Sequence, residues 1–307
     1  MLFIWIAIGI LDILIVLFLI LLCRFALRGT ENDLRTRSYP EGHPLAAIQK
    51  EVIESQRFFE EHHGERIVIH ANGVDLSARL FKQDNPIGRI LLFHGYRSVA
   101  EADFGAIMDF YHSMGYELLL VDQRAHGKSS GSWIGFGLLE RYDCLSWTRY
   151  MNHEHGVLPT FYAGLSMGST TVLMALGCEL PSNVRGVIAD CGFTSPKEVL
   201  FLAMKRKKMP IKLVMPIVSL FFKLFAGYFP GEYSTTEALR STTVPVLFIH
   251  GTKDHLVPVE MTLENHRVCN SEKELLLVEG AGHGTSLFLD RPNVEGHIRA
   301  FLTRHNQ

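Results

Sequence analysis

Gly164-Leu165-Ser166-Met167-Gly168 is the stretch on which the reading of this chain turns. Residues 160–165 before it form a short apolar run, and residues 166–178 after it have helical spacing. A strand that passes into a helix through a single residue needs a sharp turn. Flanking glycines remove the side chains that would collide there. The turn leaves Ser166 at a helix N-terminus, where backbone N–H groups favour developing negative charge. The bare pentapeptide recurs by chance, and a helix-capping serine is its plain alternative. Its place between strand and helix is what points to a nucleophile.

Outward from this turn, strands and helices alternate. Apolar runs at 66–70, 74–81, 89–94, 117–122, 184–190, 244–250 and 274–278 join 160–165 as strand candidates. Helical spacing predicts helices over 102–114, 138–152, 258–267 and 287–303. Most of these strands are short and do not alternate in polarity, which means a parallel sheet covered on both faces. Ala71-Asn72-Gly73 is a hairpin signal and adds an antiparallel edge. The expected fold is therefore α/β, with a mostly parallel eight-stranded sheet. Function in such sheets gathers at the carboxyl ends of the strands.

A serine needs a base, and the base needs an orienting acid. With 15 histidines in the chain, position must decide. His283 stands in Gly280-Ala281-Gly282-His283-Gly284, between the last strand and the last helix. Asp254 follows the strand 244–250, and Asp190 ends the strand before it. Asp254 is the acid candidate and Asp190 its competitor, better suited to a pocket wall. Two backbone donors are needed for an oxyanion: the N–H of Met167, after the nucleophile, and the N–H of Tyr96 in His94-Gly95-Tyr96. Gly164 and Gly168 complete the elbow.

The chain resembles the α/β-hydrolase superfamily from about residue 65 to 304. The matching pieces are His94-Gly95-Tyr96, Asp122-Gln123-Arg124-Ala125-His126-Gly127-Lys128-Ser129, residues 164–168, residues 251–258 and residues 280–284. The order Ser166, Asp254, His283 is the one the superfamily uses. Within it the chain is similar to membrane-anchored bacterial hydrolases of the serine aminopeptidase-like group, a likeness that does not fix the substrate. The resemblance implies that Asp122, Arg124 and His126 belong to a structural turn.

More than 50 residues separate Asp190 from residue 244, too many for a plain loop. A helical cap is expected at about 193–240, broken by Pro210, Pro216 and Pro230. It carries Lys205-Arg206-Lys207-Lys208 beside an apolar stretch. Such a patch suits anionic lipid, while a solvated face on an ordinary cap is the plainer reading.

Residues 2–23 are apolar apart from Asp12. As a helix they would be about 33 Å long, enough to cross a bilayer. Asp12 costs about 2.5–3.5 kcal/mol there, which the surrounding Ile and Leu outweigh. No Lys or Arg precedes the run, so a cleaved signal is a poor fit. Arg24, Arg28, Arg35 and Arg37 follow it and place the domain on the cytoplasmic side. Three regions are thus expected: an anchor at 1–23, a linker and juxtamembrane helix at 24–64, and the catalytic domain at 65–307.

Composition narrows the rest. Thirty basic residues face 32 acidic ones, which argues against a nucleic-acid partner. Five widely spaced cysteines form no CxxC pair and read as buried free thiols. His62-His63 and His153-Glu154-His155 lack metal-ligand spacing and read as surface histidines. No dinucleotide fingerprint or P-loop is present, so neither cofactor nor metal is expected. The expected activity is acyl transfer through Ser166, His283 and Asp254 on a small ester or related acyl substrate. A peptidase with the same three residues, or a membrane-tethered binding protein without catalysis, are the rivals.

Overall fold

The structure is a computed structural model that describes residues 56–306 continuously and, before them, residues 5, 17–18, 20–21, 23–24, 27–28, 48–51 and 53. Most of the expected anchor at 1–23 and much of the expected linker and juxtamembrane helix at 24–64 therefore lie outside the described residues. Among the described residues, no helix is long and apolar enough to cross a membrane.

Eight strands form one sheet among these residues: β1 (Glu65–Ala71), β2 (Val74–Phe81), β3 (Gly88–Phe93), β4 (Tyr116–Asp122), β5 (Thr160–Leu165), β6 (Val184–Asp190), β7 (Val246–Gly251) and β8 (Lys273–Val278). Their spatial order is β1-β2-β4-β3-β5-β6-β7-β8. Only β1–β2 and β2–β4 pair antiparallel; the others run parallel. The interior strands β3 and β7 are buried along their whole length, as their unbroken apolar runs require.

Helices cover both faces. After α1 (Gln56–Glu61), α2 (Ala100–Ser113) lies on one face, where Phe104, Met108 and Tyr111 meet Phe301 and Leu302 from the C-terminal helix. On the other face, α3 (Glu140–Glu154) and α4 (Met167–Ala175) bury Trp147, Met151 and Leu173. Between β6 and β7 stand α5 (Pro196–Arg206), α6 (Ile211–Phe221) with its π-helical continuation Phe222–Ala226, and α7 (Thr235–Ser241). Then come α8 (Val259–Val268), α9 (Ser286–Leu289) and α10 (Arg291–His305).

Three expectations need correcting. Pro216 does not break the cap: it sits inside α6, exposed, where the one backbone bond it removes disturbs no packed neighbour. The last helix is two helices, because Asp290 leaves helical geometry and Pro292 starts a new first turn. The helix α7 buries Ala238 and Leu239 in the sheet core, so this end of the insertion covers the sheet and not the nucleophile. The cap proper has its own core, with Met204, Val214, Val218 and Phe222 packed against Phe136 and Met167.

Candidate active site

The elbow shows why its glycines are needed. Ser166 adopts φ 54 and ψ −113 immediately before α4. This is strained for a residue with a side chain. A Cβ on Gly164 would lie 2.3 Å from the carbonyl oxygen of Gly168, and one on Gly168 would lie 1.7 Å from that of Phe93. The Ser166 N–H donates to the Asp190 carbonyl at 2.9 Å, which pins the turn to β6.

Three of the expected side chains meet. Oγ of Ser166 lies 2.8 Å from Nε2 of His283, and Nδ1 of His283 lies 2.6 Å from Oδ2 of Asp254. The other oxygen of Asp254 accepts the N–H groups of Leu256 (2.7 Å) and Val257 (2.8 Å). Burial alone would raise this carboxyl. Hydrogen bonds from His250 and His283, with the Val257 N–H, instead hold it well below the usual carboxylate range. The result is a fixed anion behind the imidazole.

Asp190 is not part of this chain of contacts. Its Oδ1 has no hydrogen-bond partner among the described residues, and burial pushes its carboxyl up to about 6. It lines a small cavity behind the elbow with Tyr111, Ile188 and Leu287. That is the wall position expected of the competitor. Its neighbour Cys191 places a sulfur within 4.8 Å of the ligand atoms of Asp254 and His283. Both His283 nitrogens are already engaged, by Asp254 and by Ser166.

The second loop comes from β3. Gly95 approaches closely enough that a Cβ on it would lie 3.5 Å from Cβ of Ser166. Its N–H donates to Oδ2 of Asp103 at 2.6 Å, and Oδ1 of Asp103 accepts the Ser98 hydroxyl at 2.6 Å. One carboxylate from α2 thus clamps both ends of the loop that carries Tyr96. The Tyr96 ring stacks on Phe136 and lines the pocket, whereas the Met167 side chain turns into the cap core.

Two imidazoles support this loop from below. His94 Nδ1–H donates to the Gly95 carbonyl (2.8 Å), and its Nε2 accepts the Gln123 N–H (3.1 Å). His126 Nδ1–H donates to the Arg124 carbonyl (3.0 Å), and its Nε2 accepts the Arg97 N–H (3.0 Å). Desolvation lowers both, His94 to about 4 and His126 to about 3, so each is a neutral donor–acceptor bridge. Arg124 makes two bonds to Asp143, at 2.7 and 2.6 Å. Asp122 accepts the Lys128 N–H at 3.0 Å. All three residues of this turn serve as scaffold.

Three residues close to the site carried no sequence signal. Asp103, in the first turn of α2, reads as an ordinary acid at a helix start. His250 reads as the end of β7, yet its Nε2 faces both the Val257 carbonyl (3.0 Å) and Asp254 (3.2 Å), so that nitrogen must carry a proton. Phe288 lies on α9 and lines the pocket beside Leu256. His62 is also not a plain surface histidine, since its ring stacks on Phe58 with centroids 4.3 Å apart.

Ser166, His283, Tyr96, Leu165, Leu256 and Phe288 surround a cavity of about 210 Å³. Its wall is mostly apolar, with the serine oxygen and the imidazole at the base.

Comparison with known proteins agrees with this architecture. A family model described as "Serine aminopeptidase, S33" matches residues 84–230, and one described as "TAP-like protein" matches residues 228–306. The Bacillus subtilis protein YqkD is 27% identical over 287 residues, covering 92% of this chain and 90% of the relative. Caffeoylshikimate esterase of Arabidopsis thaliana is 24% identical over 251 residues, covering 69% and 74%. Among solved structures, the Pyrococcus furiosus esterase Pf2001 superposes with a TM-score of 0.66 at 21% identity, over 92% of this chain and 99% of that one. Est1E from Butyrivibrio proteoclasticus superposes with a TM-score of 0.59 at 18% identity, over 78% and 98%. With consecutive family models meeting near residue 230 and a sheet of the same plan beneath them, the chain belongs to the α/β-hydrolase superfamily.

Proposed function

We propose that this hydrolase cleaves a carboxylic ester through a Ser166–His283–Asp254 triad and an acyl-enzyme. The carrying observation is the unbroken contact from Ser166 Oγ through both His283 nitrogens to Asp254. His283 removes the hydroxyl proton as Ser166 Oγ bonds to the ester carbonyl carbon. The oxyanion forms beside the N–H groups of Met167 and Tyr96. The C–O bond to the alcohol then breaks, and His283 returns its proton to that oxygen. Water, deprotonated by the same imidazole, releases the acid. Asp254 stays ionised and stabilises the imidazolium.

The pocket favours an ester over a peptide with a free N-terminus. Such a peptide needs a carboxylate to receive its ammonium, and Asp103, the one acid lining the cavity among the described residues, is occupied by Gly95 and Ser98. The small apolar wall fits a compact acyl group. The name of the Arabidopsis relative, an esterase, points the same way. Nitrophenyl esters of graded acyl length, run beside aminoacyl nitroanilides, test the choice. Ester turnover that is lost in Ser166→Ala supports it; preferential anilide turnover transfers the reading to a peptidase. A folded protein inert to both would favour a binding role.

The apolar run 2–23 and the arginines after it support a single membrane span with this domain on the cytoplasmic side. Protease accessibility of the domain in sealed inside-out and right-side-out vesicles tests that placement.

A further inference from the structure

The outer face of the cap is apolar, cationic and unpartnered, and the three properties coincide in one stretch. From 199 to 231 the chain has no Asp or Glu but six cations: Lys205, Arg206, Lys207, Lys208, Lys212 and Lys223. Among the described residues, none of the six has an acidic partner. Within α6 and its π-helical continuation, Val214, Val218 and Phe222 turn inward to the cap core. The opposite side carries Leu213, Leu220 and Leu224, which are 71%, 54% and 69% exposed, with Pro216 between them. A globular surface seldom leaves a leucine row so open, and a row rimmed by cations marks an interaction face.

The N-terminal segment identifies what covers it. Ile20, Cys23 and Leu27 pack into the same cap core, and Cys23 shares a cavity with Met204, Val214 and Val218. The Leu27 carbonyl accepts the Ile134 N–H at 2.8 Å. On its other side the segment exposes Leu17, Phe18 and Leu21, and at its end Arg24. Leu17, Phe18 and Leu21 thus add exposed apolar side chains on a segment that packs against the same cap core. A surface made of leucines over a cationic border, without acids, is complementary to an anionic bilayer, whose phosphates meet the lysines and whose acyl chains meet the leucines.

We propose that the outer face of α6 and residues 222–226 docks into the interface of an anionic lipid bilayer. The Arg206 guanidinium donates to the carbonyl of Leu256, a pocket-lining residue, at 2.6 Å. Docking therefore sets the pocket mouth beside the lipid. The inference goes beyond the catalytic reading and does not depend on which bond Ser166 attacks.

The test uses the full chain with Cys178→Ser, the other four cysteines being buried. A fluorescent thiol label is placed at Leu220→Cys or, as a control, at Val157→Cys, which is exposed just before β5 at the opposite end of the strands. Each protein is reconstituted into phosphatidylcholine vesicles with or without phosphatidylglycerol. Expected is quenching of the label at 220, but not at 157, by spin-labelled lipid, with protection from aqueous iodide, strongest on the anionic vesicles. Replacing Lys205, Lys207, Lys208 and Lys212 with Gln should lower the docked-to-undocked ratio roughly fivefold per cation at low salt. Iodide access at 220 equal to that at 157 overturns the proposal. Protection from both quenchers also overturns it, since another part of the chain then covers the face. Equal quenching on neutral and anionic vesicles overturns the electrostatic half. Fluorophosphonate labelling of every sample reports the triad separately, so loss of the catalytic reading is distinguishable from loss of docking.

Discussion

Nε2 of His250 lies 3.2 Å from Oδ2 of Asp254, the same oxygen that Nδ1 of His283 approaches to 2.6 Å. The carboxylate is held between two imidazoles of different exposure: His250 is fully buried, and His283 opens to the pocket. In the proposed mechanism His250 therefore positions the acid, while His283 exchanges protons with Ser166. Asp254→Asn should reduce kcat on the order of 10³–10⁴-fold by presenting the wrong partner to Nδ1–H. His250→Ala should reduce kcat far less. It should lower stability by roughly 1–3 kcal/mol, because the buried Val257 carbonyl and Thr262 hydroxyl lose their partner. Steady-state rates and thermal unfolding of the two variants separate the roles.

The Asp103 clamp predicts a kinetic signature. Asp103→Ala releases the Gly95 N–H and the Ser98 hydroxyl together and lets the Tyr96 backbone drift from the oxyanion position. A lost oxyanion donor costs about 10²–10³-fold in kcat, so a loosened one should cost roughly tenfold. KM should change little, because the apolar wall is untouched. An unchanged kcat with a raised KM would place Asp103 in substrate binding instead.

Buried titratable groups fix the pH dependence of stability. His94 and His126 are lowered to about 4 and about 3 from 6.5, so between pH 6.5 and 4 the unfolded chain binds protons that the folded one refuses. Their contribution falls as the pH falls through that window. Asp190 is raised from 3.8 to about 6, so between those values the folded protein keeps a proton the unfolded one has lost, and its contribution falls as the pH rises. The imidazole contribution by itself lowers Tm from pH 6.5 to pH 4, against Asp190 and the other carboxyls that burial raises, Asp103, Asp122 and Glu140. His126→Gln should flatten that drop.

Asp190→Asn isolates the opposing effect. It removes a carboxyl whose ionised form is poorly solvated, and should raise stability by roughly 1–3 kcal/mol above pH 6. At pH 4, where the native carboxyl is already protonated, the gain should vanish. A gain of equal size at both values would mean that packing, and not ionisation, is responsible.

Gly168→Ala should yield little folded protein. Its Cβ would lie 1.7 Å from the Phe93 carbonyl, a backbone atom of the central strand that cannot swing away. The loss should exceed about 4 kcal/mol, at the severe end for a single substitution. Circular dichroism of the purified variant checks it.

The sheet was legible because burial on both faces forces continuous apolar strands, and because Gly164 and Gly168 mark a turn that other residues cannot make. Ser166, Asp254 and His283 could be placed from the ends of those strands, where loops are short. The supporting contacts were not legible. Asp103 reaches Gly95 across one helical turn and a loop, and His250 meets Asp254 only because the chain folds back after β7. Periodicity reports which face a residue takes, not which polar atom it finds. The passage of α6 through Pro216 was hidden for a related reason, since local propensity treats proline as a stop while an exposed helix face tolerates the missing bond.

The most direct test of the triad is fluorophosphonate labelling of the full chain beside Ser166→Ala and His283→Ala. Expected is labelling of the native protein, none of Ser166→Ala, and a rate for His283→Ala lower on the order of 10³-fold or more, as for loss of a general base. Equal labelling of Ser166→Ala, or no labelling of a folded native protein, would contradict an activated serine at the elbow.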